Sequence, residues 1–204
     1  MKKILFSLLI VFFALDTFSQ LTGGVKGGLN FAQVHAKVSG DSELSDMLIG
    51  FQLGGYLNYP LSDKVSIQPE LVFTRVGGKE SMYDPDLQED VTIAYKNDYL
   101  SIPLMFSFKA GDKFHILAGP QVGILVGAKA KVEVLGQSVS IDVKDVYKTL
   151  DFGLTAGFGY TINKVGIDAR YNFGLANIAD GTSGGDKAQN RVIMLAVSYK
   201  LFEK

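Results

Sequence analysis

Apolar and polar residues alternate strictly along most of this chain. In 165–176, Val165, Ile167, Ala169, Tyr171, Phe173 and Leu175 occupy one parity and Gly166, Asp168, Arg170, Asn172, Gly174 and Ala176 the other. A period of two places successive side chains on opposite faces of a strand, so one face is greasy and the other polar. The same division recurs in 151–162 and 99–109, whereas no window of a dozen residues carries a convincing helical period. Eight alternating stretches are predicted as strands: Gly24–Ala32, Ile49–Tyr59, Val65–Arg75, Tyr99–Lys109, Phe114–Ala128, Asp151–Ile162, Val165–Ala176 and Arg191–Phe202. Each satisfies the about 9–11 residues that a tilted strand needs to cross a bilayer.

The connections alternate too. Pro60–Lys64, Ala110–Lys113 and Asn163-Lys164 are short, while 33–48, 76–98, 129–150 and 177–190 are long. Tight turns on one side and long loops on the other are the pattern of outer-membrane barrels with periplasmic turns and extracellular loops. The predicted fold is therefore all-β: an eight-stranded antiparallel up-and-down transmembrane barrel, with both mature termini on the periplasmic side. A soluble up-and-down barrel could tolerate the same connections. Residue size favours the membrane: large side chains take one face, and many glycines share the polar face, as a narrow eight-stranded lumen requires. With the first strand running outward, Phe31, Phe51, Phe73, Phe152 and Phe173 fall near the loop ends, and Tyr59, Phe108, Phe114, Tyr160 and Tyr199 near the turn ends, giving two aromatic girdles.

The N-terminus differs from the rest. Lys2 and Lys3 precede an apolar run from Ile4 to Leu15, interrupted only at Ser7, and Thr17 and Ser19 occupy the −3 and −1 places of a cleavage before Gln20. The run is too short to span a bilayer, so residues 1–19 read as a cleaved secretory signal peptide and 20–204 as one barrel domain.

Composition narrows the function. The 204 residues carry 20 basic against 21 acidic side chains, a balance without the electrostatic footprint of nucleic-acid binding. The lack of cysteine removes disulfides, thiolate metal sites, cysteine nucleophiles and a lipid-modified N-terminal cysteine. Glycine, at 23 residues, is well above average, while five prolines and 11% aromatics exclude a collagen-like or disordered chain.

Lys26, Gln68, Glu70, Gln121, Asp168 and Arg170 are placed on the lumen face, with His115 and Lys109 nearer the turns. An unpaired charge in a closed interior is expensive, so Glu70 and Asp168 are expected to pair with Lys26 and Arg170 in a hydrogen-bonded polar plug rather than line an ion path. An ester hydrolase on the outer rim would need His35 with Ser39 or Ser42 and Glu43, in a loop without a positioning motif, because His115 lies at the opposite end. The carboxylates of Asp84–Asp90 lack the ligand spacing and central glycine of an EF-hand loop, and Gly181–Lys187 lacks the Gly-Lys pair and strand-to-helix context of a phosphate loop. No enzyme activity, cofactor or metal is expected. The third loop alternates again on both sides of Gly136-Gln137, through Val132, Val134, Val139, Ile141 and Val143, which suits either a hairpin standing above the membrane or a longer barrel wall.

Five segments stand out in order: Gly24-Val25-Lys26-Gly27-Gly28-Leu29-Asn30-Phe31, Ile67-Gln68-Pro69-Glu70-Leu71, Tyr99-Leu100-Ser101-Ile102-Pro103-Leu104, Leu117-Ala118-Gly119-Pro120-Gln121-Val122-Gly123 and Asp168-Ala169-Arg170-Tyr171-Asn172-Phe173-Gly174-Leu175. Together they resemble the PorT-like outer-membrane β-barrel domain of Bacteroidetes-type bacteria. The resemblance covers nearly all of the mature chain and implies an eight-stranded outer-membrane barrel. The family's namesake belongs to a protein-secretion and gliding apparatus. The expected partners are outer-membrane lipid, lipopolysaccharide and an envelope protein, and the expected role is structural or secretion-associated; an outer-membrane lipid or ester hydrolase and a small pore or ligand-binding barrel are the alternatives.

Overall fold

The computed structural model describes residues 21–38, 40–85, 88–134, 137–181 and 186–203. The predicted signal peptide, residues 1–19, and its cleavage site before Gln20 lie outside the described residues. Among the described residues, ten strands and one 3-10 turn follow in chain order: β1 (Thr22–Val38), β2 (Asp41–Leu44), β3 (Leu48–Pro60), β4 (Val65–Asp84), β5 (Glu89–Lys109), β6 (Phe114–Val134), β7 (Gln137–Asp142), the turn Lys144–Val146, β8 (Leu150–Ile162), β9 (Val165–Gly174) and β10 (Lys187–Glu203).

Eight of them, β1, β3, β4, β5, β6, β8, β9 and β10, pair with their neighbours in sequence order, and β10 returns to pair antiparallel with β1. The ring is thus closed and leaves no wall edge unpaired. Closure is what a sheet in lipid requires, because backbone groups find no water there. The closing seam runs from Thr22↔Glu203 to Lys37↔Lys187, with a bulge between Gly23 and Gly24. The remaining two strands, β2 and β7, stand outside the ring and pair only with β1 and β6.

The barrel is inside out. Along β9, Val165, Ile167, Tyr171 and Phe173 are exposed, while Gly166, Asp168, Arg170, Asn172 and Gly174 are buried. Ile102, Leu104, Phe106 and Phe108 of β5, and Phe152, Leu154, Phe158 and Tyr160 of β8, likewise face outward. No water-soluble wall displays such a continuous apolar belt, and a bilayer satisfies it. At the loop end of the belt Phe51, Phe152 and Phe173 are exposed, and at the turn end Phe108, Phe114, Tyr160 and Tyr199.

Three predicted long loops prove to be largely strand. Residues 76–98 continue β4 and β5 as one hairpin, paired as far as Asp84↔Glu89. The first loop is shortened by β1, which runs to Val38, and by its partner β2. In the third, β6 runs on to Val134 beside β5, which lengthens the wall, and β7 folds back on it from Lys129↔Asp142 to Val134↔Gln137 as a hairpin outside the ring. The far part of the β4–β5 hairpin, where both faces meet water, carries no period that would mark it in sequence, whereas the third loop's alternating valines did mark its hairpin.

Proline marks the weak points of the wall. The β3–β4 ladder skips from Tyr56↔Glu70 to Tyr59↔Ile67 at Pro69, and the β5–β6 ladder skips from Pro103↔Gln121 to Phe106↔Ala118. Pro69 and Pro120, at these gaps, have no N–H to donate across the ladder, although each keeps its register with the strand on its other side.

Candidate functional site

The lumen is filled in layers, each built from inward positions of several strands. At its centre Lys26 of β1, Glu70 of β4, and Asp168 and Arg170 of β9 meet. The Lys26 Nζ lies 3.0 Å from Glu70 Oε2 and 3.7 Å from Asp168 Oδ2. Arg170 uses one terminal nitrogen for Glu70 Oε1 and the other for Asp168 Oδ2, both at 2.8 Å. Two cations and two anions therefore compensate each other, and all four residues are at most 6% exposed. Charges held this deep persist because each partner also donates or accepts hydrogen bonds. Gln68 extends the cluster by donating to Glu70 Oε1 at 2.7 Å, and is itself reached by Asn58 at 3.2 Å. Gln121 stands in the next layer, where its Oε1 accepts from the Thr155 hydroxyl at 3.2 Å, and Asn172 donates to that hydroxyl at 2.9 Å.

Toward the turns, His115 Nε2 reaches Asp168 Oδ1 at 3.4 Å, a contact between β6 and β9 that the sequence reading did not anticipate. Alternation assigns both side chains to the lumen face but says nothing of their relative height. Lys109 is exposed at the turn end and lines the mouth below this contact.

Toward the loops the lumen carries an apolar cluster beside the buried Asn97 and Asn190, the latter donating to Asp151 Oδ2 at 2.8 Å. Ala32, Val76, Tyr99, Leu125, Ala128, Val192 and Met194 pack together, with Val143 and Tyr147 of the third loop folded onto them. The fourth loop closes over this cap: Lys148 N–H donates to Ile178 O at 2.8 Å, Asp180 N–H to Val146 O at 3.0 Å, and Ile178 is fully buried. Burial also pushes the Tyr147 hydroxyl above the ordinary tyrosine range. An inward run of Leu125, Val192 and Met194 was the available signal, but the loop residues that complete the cap are distant in sequence.

Among the described residues, those considered for chemistry at the rim sit at successive pairs of the β1–β2 ladder. His35 lies in β1 opposite Leu44, while Ser42 is opposite Lys37 and Glu43 opposite Ala36; Ser39 lies outside the described residues. Of the acidic segment 84–90, residues 86 and 87 lie outside the described residues, as do 182–185 of the glycine-rich tip. Among the described residues, no three His, Cys, Asp or Glu side chains group closely enough to hold a metal ion.

The family model described as outer membrane protein beta-barrel domain matches residues 18–180. Among solved structures, Neisserial surface protein A is similar over 87% of this chain and 97% of its own, at 17% identity and a TM-score of 0.50. Ail, the attachment invasion locus protein of Yersinia pestis, is similar over 88% of this chain and 98% of its own, at 20% identity and a TM-score of 0.48. No curated protein sequence matches the chain. A closed ring with lipid-suited outer faces and a match over most of its length lead to one conclusion: the chain belongs to the outer membrane protein beta-barrel domain family and resides in the outer membrane.

Proposed function

We propose that this protein is a non-enzymatic integral outer-membrane barrel, exported by a leader over residues 1–19, with a plugged lumen and a structural or assembly role of the PorT-like, secretion-associated kind. The observation that carries the reading is the central ion cluster. Glu70 meets both Lys26 and Arg170 across the lumen, and Gln68 and Gln121 fill the space beside it. A fully compensated cluster of this kind supports a plug made of Lys26, Gln68, Glu70, Gln121, Asp168 and Arg170, since conduction needs groups free to exchange partners with a passing ion. Work done without passage through the barrel falls to its surfaces. The belt takes lipid, and the β4–β5 and β6–β7 hairpins rise beyond it toward lipopolysaccharide and envelope proteins.

Affinity purification of the tagged protein from native outer membranes in mild detergent tests the role. A near-stoichiometric envelope protein in the eluate is the expected result, with secretion or gliding the first process to examine in its absence. Recovery of the barrel alone, as a compact monomer, would overturn the assembly reading.

A further inference from the structure

Below the ion cluster the turn end of the lumen opens into a vestibule of about 230 Å³. Its floor is sealed where His115 meets Asp168, and the wall presents Tyr56, Ser66 and Asn58, whose amide nitrogen already donates to Ser66 Oγ at 2.9 Å and Gln68 Oε1 at 3.2 Å, leaving the two hydroxyls and the Asn58 carbonyl to meet a ligand. Lys109, Lys113 and Lys164 line its mouth, and among the described residues none of the three forms an ion pair. The other lining charges do not cancel them: Asp168 is held by Arg170 and Lys26, Lys200 pairs with Glu203, and Asp112 supplies one carboxylate.

The mouth is also firmly built. Lys109 N–H donates to Lys64 O, Thr161 N–H to Lys113 O and Lys200 N–H to Lys164 O, each at 2.8 Å, so every rim lysine is tied by its backbone to the neighbouring strand or turn. A concave, low-dielectric wall with uncompensated charge of one sign concentrates the opposite ion. The hydroxyl and amide groups behind the lysines suit a ligand with hydrogen-bonding groups of its own. Sites for drug-sized ligands measure about 300–1,000 Å³, so this smaller space fits about one ring.

We propose that the vestibule binds a small anionic saccharide, with the sugar hydroxyls against Tyr56, Asn58 and Ser66 and its carboxylate among Lys109, Lys113 and Lys164. Such a group comes either as a free sugar acid or as a muramic acid unit of the cell wall whose stem peptide has been removed, which frees its carboxylate. That the mouth faces the periplasm rests on the outer-membrane orientation with short turns inward. Binding in solution does not, and it is independent of whether a protein partner is found.

The test is calorimetric titration of the folded barrel in detergent with glucuronate, N-acetylmuramic acid, glucose and inorganic phosphate. Saturable binding of at least one of the two sugar acids is expected, at least tenfold tighter than glucose or phosphate. Glucuronate alone would indicate a free sugar acid, and N-acetylmuramic acid alone a wall saccharide. The double variant Lys113→Gln/Lys164→Gln should weaken binding at least tenfold, while Lys37→Gln/Lys187→Gln, at the opposite end of the barrel, should leave it unchanged. Absence of saturable binding, phosphate or glucose binding as tightly as the sugar acids, or an unaltered affinity in the Lys113/Lys164 variant would each overturn the proposal.

Discussion

Glu70 and Arg170 stand on diametrically opposite walls of the barrel and meet in a 2.8 Å ion pair. In the ring order β1, β3, β4, β5, β6, β8, β9, β10, the strands β4 and β9 are four steps apart in either direction. Their side chains therefore span the full width of the lumen. This strut joins residues 100 positions apart in sequence, and it sets both halves of the wall at a fixed separation.

Removing one end of the strut should be costly. Arg170→Met leaves Glu70 with Lys26 as its one cation, beside the Gln68 amide, and deprives Asp168 of its 2.8 Å partner. Breaking a buried pair from one side costs about 3–5 kcal/mol, because the abandoned charge stays desolvated. Urea unfolding of the barrel from lipid vesicles should show a loss of that size, and Glu70→Gln added to Arg170→Met should recover part of it. A loss of less than about 1 kcal/mol would mean that water reaches the cluster and screens it.

On the proposed plug, two barriers stand in series along the lumen, the ion cluster and the cluster of Tyr99, Leu125 and Val192 with Tyr147 folded over it. Planar-bilayer recordings of the native protein should thus show no steps above leak. Glu70→Ala and Arg170→Ala should be silent as well, since the cap does not depend on them. Steps in either variant would identify the cluster as the sole barrier, and steps in the native protein would restore the pore reading.

What the sequence made legible was facing, and the reason is geometric. A wall with lipid on one side and a narrow lumen on the other imposes period two at every residue, so β9 could be read position by position from Val165 to Gly174. The membership of Lys26, Glu70, Asp168 and Arg170 in the lumen face follows from the same rule. Height does not, because it depends on how neighbouring strands are staggered; hence the His115–Asp168 contact, 53 residues apart in sequence, had no local signature. The hairpin above the belt was equally hidden. Lys79, Glu80, Ser81 and Tyr83 are paired in β4, yet no alternation marks them, as water reaches both faces. The cap of Val143, Tyr147 and Ile178 depends on loop residues whose partners only folding supplies.

Backbone crowding at the closing seam gives a third expectation. A Cβ at Gly28 would lie 2.0 Å from Leu195 O and 2.7 Å from Ala196 Cα, atoms of the paired strand β10 that cannot swing aside. Gly28→Ala should therefore destabilise the barrel by about 1–3 kcal/mol, the usual range for overpacking. Gly111, in the β5–β6 turn, has no atom within 4 Å of such a Cβ, so Gly111→Ala should be nearly neutral. Vesicle-based unfolding of the two variants side by side checks the contrast, and equal effects would show that the seam adjusts.

The sharpest test of the membrane assignment uses a residue that would be unremarkable on a soluble protein. Leu195 lies in β10 between Leu29 and Ala169 and is 46% exposed, with Ile193 and Val197 on the same face. If water bathed this face, Leu195→Arg would fall within about 0.5 kcal/mol of neutral, as surface substitutions do. Against lipid the guanidinium must be carried into hydrocarbon, at about 2–4 kcal/mol near the midplane and much less near the interfaces. Refolding into vesicles should show that larger penalty for Leu195→Arg, and a smaller one for Phe202→Arg, because Phe202 pairs with Gly23 at the turn end of the seam. A neutral Leu195→Arg would put water on this face of the barrel, whereas a penalty that fades from Leu195 to Phe202 would trace the depth of the bilayer along a single strand.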